Sequence, residues 1–357
     1  MPYVAAVAGA LGPYCYPQPE ITEAFGRLVL GEPADSAQRQ LLERLHLATG
    51  VEQRHLALPL PAYESLTSFE AANDAFIDIG VRLAGQALAD ALANAGLAAR
   101  DVDLVMSATV TGVAAPSLEA RLVPVLGLRD DVKRVPIFGL GCVAGAAGIA
   151  RVADYLVGHP DEVVAFVAVE LCSLTVQRHD PSMANIVAAG LFGDGAAAVV
   201  MVGDRRAATL GLAGPRVLAS RSVFYPDTER VMGWDIGGSG FRIVLAPTVA
   251  DLVRANLGDD LKRFLVESHL DRSDVTHWIA HPGGPKVLDA MQLALDVPKA
   301  ALRRTWESLR TVGNLSSASV LHVLQATMTD CPPGTGEPAV LLAMGPGFCA
   351  ELVLLSW

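Results

Sequence analysis

The chain has 357 residues, 52% hydrophobic and only 18% charged, with a mean hydropathy of +0.38, so one large or two medium domains with a sizeable core are expected, together with apolar surface to bury between subunits. The net charge of −11 and the absence of clustered Lys and Arg exclude a reader of the nucleic-acid backbone; a nucleotide-tailed thioester, which needs only a few local cations, is not excluded. No apolar run has the length of a membrane span. The first residues carry no basic segment ahead of their apolar stretch and read as a strand and turn. The five cysteines, Cys15, Cys142, Cys172, Cys331 and Cys349, form neither a CxxC pair nor a metal-ligand spacing, which predicts no metal site and free thiols in a reducing cytoplasm.

In chain order, the period of residues 79–97 predicts a helix, and VDLVMSATVTG (102–112) and VKRVPIFGL (132–140) predict strands. A helix over 143–158 and strands over 162–171 and 195–203 follow. The uninterrupted Val, Ala and Ile of these runs predict strands covered on both faces. Residues 201–217, with their charges, Gly and Pro, read as the boundary between two halves, 1–205 and 206–357. The second half repeats the logic: a helix near 247–269, a strand over 276–281, a helix over 285–295, a helix starting near Ser316 and a strand over 339–347. The alternation defines an α/β layered class, and it shows no tandem repeat.

Three residues invite chemistry. Cys142 stands where an apolar strand meets a Gly/Ala-rich helix, FGLGCVAGAAG; a helix N-terminus favours the thiolate, and small neighbours leave a substrate room to approach. A buried structural thiol fits the same context, so both readings stay open. His281 ends a strand and is followed by Pro-Gly-Gly, whose backbone lets a partner pack closely. Asn314 lies in TVGNLSSAS, where a turn or cap residue is the plainer reading and an oxyanion donor the sharper one.

Taken together and in order, GLGCVAGAAG, LFGDGAAAVV (191–200), HPGGPKVLDA, GNLSSAS and LLAMGPGFCAELVLL (341–355) resemble the type III polyketide synthases of the chalcone synthase superfamily, over nearly the whole chain. VTGVAAPSLEAR (110–121), VELCSLT (169–175) and MGWD (232–235) resemble most the bacterial, mycobacterial-type branch that makes long-chain alkylpyrones. The resemblance implies a thiolase-like fold of two pseudo-duplicated halves with an αβαβα core, a cytoplasmic homodimer, acyl-CoA and malonyl-CoA as substrates, and no metal or redox cofactor. It implies that Cys142 carries the acyl chain as a thiolate paired with protonated His281, and that His281 and Asn314 hold the enolate left when malonyl-CoA loses carbon dioxide. Phe192 and Phe241 align with the gatekeepers between CoA tunnel and cavity, Gly345, Pro346 and Gly347 with the Gly-Pro-Gly loop, and Arg44 and Lys286 with the CoA entrance, where Ala48 replaces a cation.

Thr111, Ala115, Cys172 and Thr175 match positions along an acyl tunnel. Ala115 replaces a Met of the plant enzymes, which implies room for a medium- or long-chain fatty acyl starter; methylmalonyl-CoA as an alternative extender is left open. Glu170 and Ser316 match a network tied to resorcinol-forming closure, but Val110 replaces its Thr hydroxyl, which favours release as an α-pyrone. Asp194 reads as a structural turn residue. The competing readings are an alkylresorcinol-forming synthase, a β-ketoacyl synthase III-like single condensation, disfavoured because Pro-Gly-Gly follows His281 where those enzymes carry His-Gln-Ala-Asn, and a catalytically silent dimeric scaffold.

Overall fold

The computed structural model describes every residue from 1 to 357 except Ala213 and Cys331, so Cys331 lies outside the described residues. The first half contains β1 (Tyr3–Leu11), β2 (Tyr14–Pro17), α1 (Gln18–Leu30), α2 (Ser36–Ala48), β3 (Gln53–Leu56), α3 (Phe69–Ala95), β4 (Leu104–Thr109), α4 (Leu118–Leu126), β5 (Lys133–Phe138), α5 (Ala144–Gly158), β6 (Val163–Leu171), α6 (Met183–Leu191), β7 (Asp194–Val202) and α7 (Asp204–Leu210). The second contains β8 (Arg216–Phe224), β9 (Met232–Gly237), β10 (Gly240–Leu245), α8 (Val249–Glu267), β11 (His277–Ala280), α9 (Pro285–Leu295), α10 (Arg303–Val312), α11 (Ser319–Asp330), β12 (Pro338–Gly345) and β13 (Cys349–Ser356).

Nine strands form one mixed sheet in the order β11-β12-β13-β8-β1-β7-β6-β4-β5. Its two sides repeat one pattern. In the first, β4 runs parallel to β6, β7 antiparallel to β6, and β1 antiparallel to β7; in the second, β11 is parallel to β12, β13 antiparallel to β12, and β8 antiparallel to β13. The sides meet at β1 and β8 through the pair Tyr3 and Arg216.

The period-two alternation of the strands sorts their side chains into layers. On β6, Val163, Ala165, Val167 and Val169 face the core under α1 and α3. Val164, Phe166 and Ala168 face the opposite way, onto α5 and α11, which also cover Leu341 and Ala343 of the second side. Val340 and Leu342 then face α8 and α9. The central helices α5 and α11 are thus enclosed between two sheet surfaces, which is why α5 is built from Ala and Gly: Gly148 lies so near Phe166 that an added Cβ would stand 2.2 Å from the ring.

Two expectations need correction, and the boundary between the halves gains a helix. β5 is an exposed edge, with Val135 38% and Phe138 49% exposed, instead of a strand covered on both faces. The expected 201–217 boundary holds α7, tied down by Arg205 to Asp161 and Arg206 to Asp101. The helix expected over 79–97 begins at Phe69, capped by Ser68, whose hydroxyl accepts from the Ala71 N–H.

Candidate active site

Cys142 lies in a single 3₁₀ turn, Gly141–Val143, that leads into α5. Gly141 has φ +55, and a Cβ there would meet the Pro346 ring at 2.7 Å. Glycine is therefore required twice over, for the left-handed backbone and for the approach of the Gly345-Pro346-Gly347 turn. Gly347 itself has φ +78. His281 follows β11, with its backbone N–H bonded to Leu342 O at 2.9 Å. Asn314 follows α10 and is fixed by reciprocal bonds: its N–H donates to Leu191 O, and Gly193 N–H donates to its carbonyl, both at 3.0 Å.

Cys142, His281 and Asn314 all line one largely apolar cavity together with Phe192, Cys172, Val110, Ser316 and Pro346. Each of the three is at most 7% exposed. Both ring nitrogens of His281 are buried without a hydrogen-bond partner among the described residues, an arrangement that leaves the imidazole free to exchange a proton with whatever enters. The Asn314 side chain is oriented through its oxygen, which accepts from Ser316 N–H at 2.8 Å and Ser319 Oγ at 3.5 Å. Its amide nitrogen has only a long contact, 3.5 Å, to Gly283 O.

Burial opposes the expected thiolate–imidazolium pair at each residue taken alone. Burial pushes the Cys142 thiol up to about 12 and His281 down to about 3, because each charged form alone lacks water. Cys142 Sγ points instead at Ser316 Oγ, 3.6 Å away.

Behind the cysteine lies a polar network centred on Glu170, which is fully buried. Its carboxylate accepts from Thr111 Oγ1 at 2.8 Å, Val110 N–H at 3.1 Å, Ser317 Oγ at 2.5 Å and Ser316 Oγ at 3.2 Å. Burial raises the Glu170 pKa, opposed by these donors. Cys142, Ser316 and Glu170 form a continuous chain, and Thr111, next to Val110, supplies Glu170 with a hydroxyl.

The tunnel expectation also changes. Ala115 is exposed on the surface of the chain, Thr111 is committed to Glu170, and Thr175 Oγ1 bonds Cys172 O at 2.7 Å; none of these three lines the cavity, although Cys172 does. Phe192 lines the cavity, but Phe241 does not. Phe241 shares a face of β10 with Ile243 and Leu245, which do line it, and sits one step beyond, among Phe69, Phe138 and Trp234. Met232 and Trp234 of β9, which the sequence offered only within the MGWD motif and not as site residues, complete that wall; the register of β9 on β10 places them there. Arg44 and Lys286 are both exposed. Asp194 is structural, accepting from Ala57 N–H at 2.6 Å and Ser173 N–H at 2.8 Å. No group of three or more His, Cys, Asp or Glu among the described residues could hold a metal ion, and no described helix is long and apolar enough to cross a membrane.

A cysteine, a histidine and an asparagine gathered in one apolar cavity are the groups an acyl-transferring condensing enzyme needs. Residues 2–205 match the family model for chalcone and stilbene synthases, N-terminal domain, and residues 216–356 match that for the C-terminal domain; the chain belongs to this family, the type III polyketide synthases. It is 55% identical over 354 residues to the 1,3,6,8-tetrahydroxynaphthalene synthase of Streptomyces peucetius subsp. caesius, covering 99% of this chain and 93% of that one. It is 35% identical over 315 residues to the putative chalcone synthase of Bacillus subtilis (strain 168), covering 86% of each. The crystal structure of 1,3,6,8-tetrahydroxynaphthalene synthase from Streptomyces coelicolor A3(2) superposes with a TM-score of 0.91 at 31% identity, covering 99% of both chains. The thiolase-like fold and the malonyl-CoA-condensing activity follow from membership; an alkylpyrone subtype does not.

Proposed function

We propose that this enzyme uses malonyl-CoA as both starter and extender and closes the chain carbon to carbon into a polyhydroxylated aromatic of the 1,3,6,8-tetrahydroxynaphthalene kind. The observation that carries this reading is the continuous chain Cys142–Ser316–Glu170, the kind of network that the resemblance ties to aldol-type closure. The 55% identical relative bears that product in its name, and oxygen on alternate ring carbons, without an alkyl substituent, is the pattern of malonyl units alone. A fatty acyl starter is less well supported, because Ala115, Thr111 and Thr175 stand outside the cavity.

In this mechanism the Cys142 sulfur attacks the thioester carbonyl as His281 takes the thiol proton, then returns it to the departing CoA sulfur. An incoming malonyl group loses carbon dioxide, and the electron pair of the broken bond passes into an enolate whose oxygen accepts from the His281 ring N–H and the Asn314 amide. The enolate carbon attacks the Cys142 thioester and releases the cysteine. Arg44 and Lys286 hold the CoA phosphates, and the halves 1–205 and 206–357 are the duplicated units. The exposed edge β5, with Val135 and Phe138, is the surface of a homodimer, so Phe138→Glu should shift the sedimentation coefficient toward the monomer.

Incubation with malonyl-CoA alone and with added acyl-CoAs from acetyl to palmitoyl, read by mass spectrometry, tests the proposal. A fused aromatic from malonyl-CoA alone is expected. Alkylpyrones formed only when a fatty acyl-CoA is added would replace it with the long-chain reading.

A further inference from the structure

The cavity around Cys142 has a volume of only about 50 Å³, space for a few waters. A growing chain requires a wall to yield. The sheet strands cannot readily supply that movement, since β6 and β7 are buried along their full length between layers. The ribbon β9–β10 can: its two strands pair only with each other, and its inner side presents Met232, Trp234, Ile243 and Leu245 to the cavity.

One side chain ties the free end of this ribbon to the opposite wall. Gln177, 8% exposed, directs its amide nitrogen to Ser239 O at 3.3 Å and Phe241 O at 3.1 Å on the ribbon, and to Thr175 O at 3.0 Å. Thr175 closes the 3₁₀ turn Cys172–Thr175, whose Cys172 lines the same cavity. Gln177 is held in turn by Asn185, whose side-chain oxygen accepts from the Gln177 N–H at 3.1 Å and whose amide donates to the Gln177 carbonyl at 2.8 Å. The ribbon tip, Gly237 to Ser239, is exposed.

We infer that Gln177 is a specificity-determining positioning residue: by pinning the tip of the β9–β10 ribbon to the Cys172 turn, it limits how far the cavity roof lifts and so which acyl groups the enzyme accepts. The inference rests on the proposed condensing reaction but not on the identity of its starter. An amide donor is required, because all three partners are carbonyl oxygens; Gln177→Leu keeps the bulk and removes the donors.

The test supplies the full-length enzyme with malonyl-CoA and an equimolar mixture of acetyl-, hexanoyl- and decanoyl-CoA, and compares product ratios of wild type and Gln177→Leu. The ratio of products primed by an added acyl-CoA, decanoyl above all, to the product made from malonyl-CoA alone should rise about tenfold, the lower end of what one methylene is worth in a hydrophobic pocket. Amide hydrogen exchange across 232–245 should quicken in the variant. An unchanged ratio, whether or not total turnover falls, would overturn the inference, since a merely structural loss lowers all products together. If Gln177→Leu does not fold, Gln177→Asn, with an arm one methylene shorter, is read by the same ratio. A mistaken starter assignment would alter the wild-type products and leave the comparison between variants intact.

Discussion

Replacing Asn314 by Ala should separate the two half-reactions of the enzyme. The side-chain amide nitrogen has no partner nearer than Gly283 O at 3.5 Å, so the donor is available to an enolate oxygen. Removing one such donor typically costs about 2.7–4 kcal/mol of barrier, or about 10²–10³ in rate. The substitution also strands Ser316 N–H, which donates to Asn314 Oδ1 at 2.8 Å; one buried unsatisfied donor costs about 1–3 kcal/mol of stability. The two effects are distinguishable, because unfolding removes both half-reactions in proportion while a lost oxyanion donor removes one. Acyl transfer onto Cys142, followed by intact mass, should therefore stay within a few fold of wild type for the folded fraction. Release of labelled carbon dioxide from malonyl-CoA should fall by about 10²–10³. Equal losses in both assays would refute the assignment of Asn314 to the enolate.

Arg54→Met should lower stability by about 3–5 kcal/mol, read by denaturant unfolding, because the fully buried guanidinium holds Gln18 Oε1, Phe192 O and Ala189 O at 2.6–3.0 Å. Gly141→Ala should slow acylation of Cys142 by about tenfold or more, since its Cβ would stand 2.7 Å from the Pro346 ring at φ +55; stopped-flow acylation measures it. Burial, then the charge of Arg54, lowers His46 from 6.5 to about 4. The folded protein thus binds fewer protons than the unfolded chain in that interval, and the contribution is intact above pH 6.5 and lost as pH falls toward 4. The loss at His46 is about 3 kcal/mol, so His46→Gln should flatten the fall in unfolding free energy over this window.

What the sequence made legible was the part governed by local period and by motif. Strands such as Val163–Leu171 contain nothing but burial-compatible residues apart from Glu170, and a 3.6 period marks α5. The positions of Cys142, His281 and Asn314 were legible because each ends or begins an element at a glycine-rich turn. Exposure of β5 was not, since an edge strand and a central strand can share a composition and differ only in their neighbours. Phe241 stands one step along β10 from the residues that line the cavity, a depth set by how β9 and β10 pair, and nothing in the spacing of GFRIVL encodes that. The hydroxyl on Glu170 was missed for a similar reason: Val110 turns its N–H, and Thr111 its side chain, to the same carboxylate, which requires the chain to leave β4 after Thr109.

The most direct test of the central claim is intact-mass analysis of the protein with malonyl-CoA, beside Cys142→Ala, with small-molecule products followed in the same samples. The account predicts a transient acyl adduct on Cys142, release of carbon dioxide and CoA, and an aromatic product absent from the variant. A Cys142→Ala enzyme that still formed the product would contradict it.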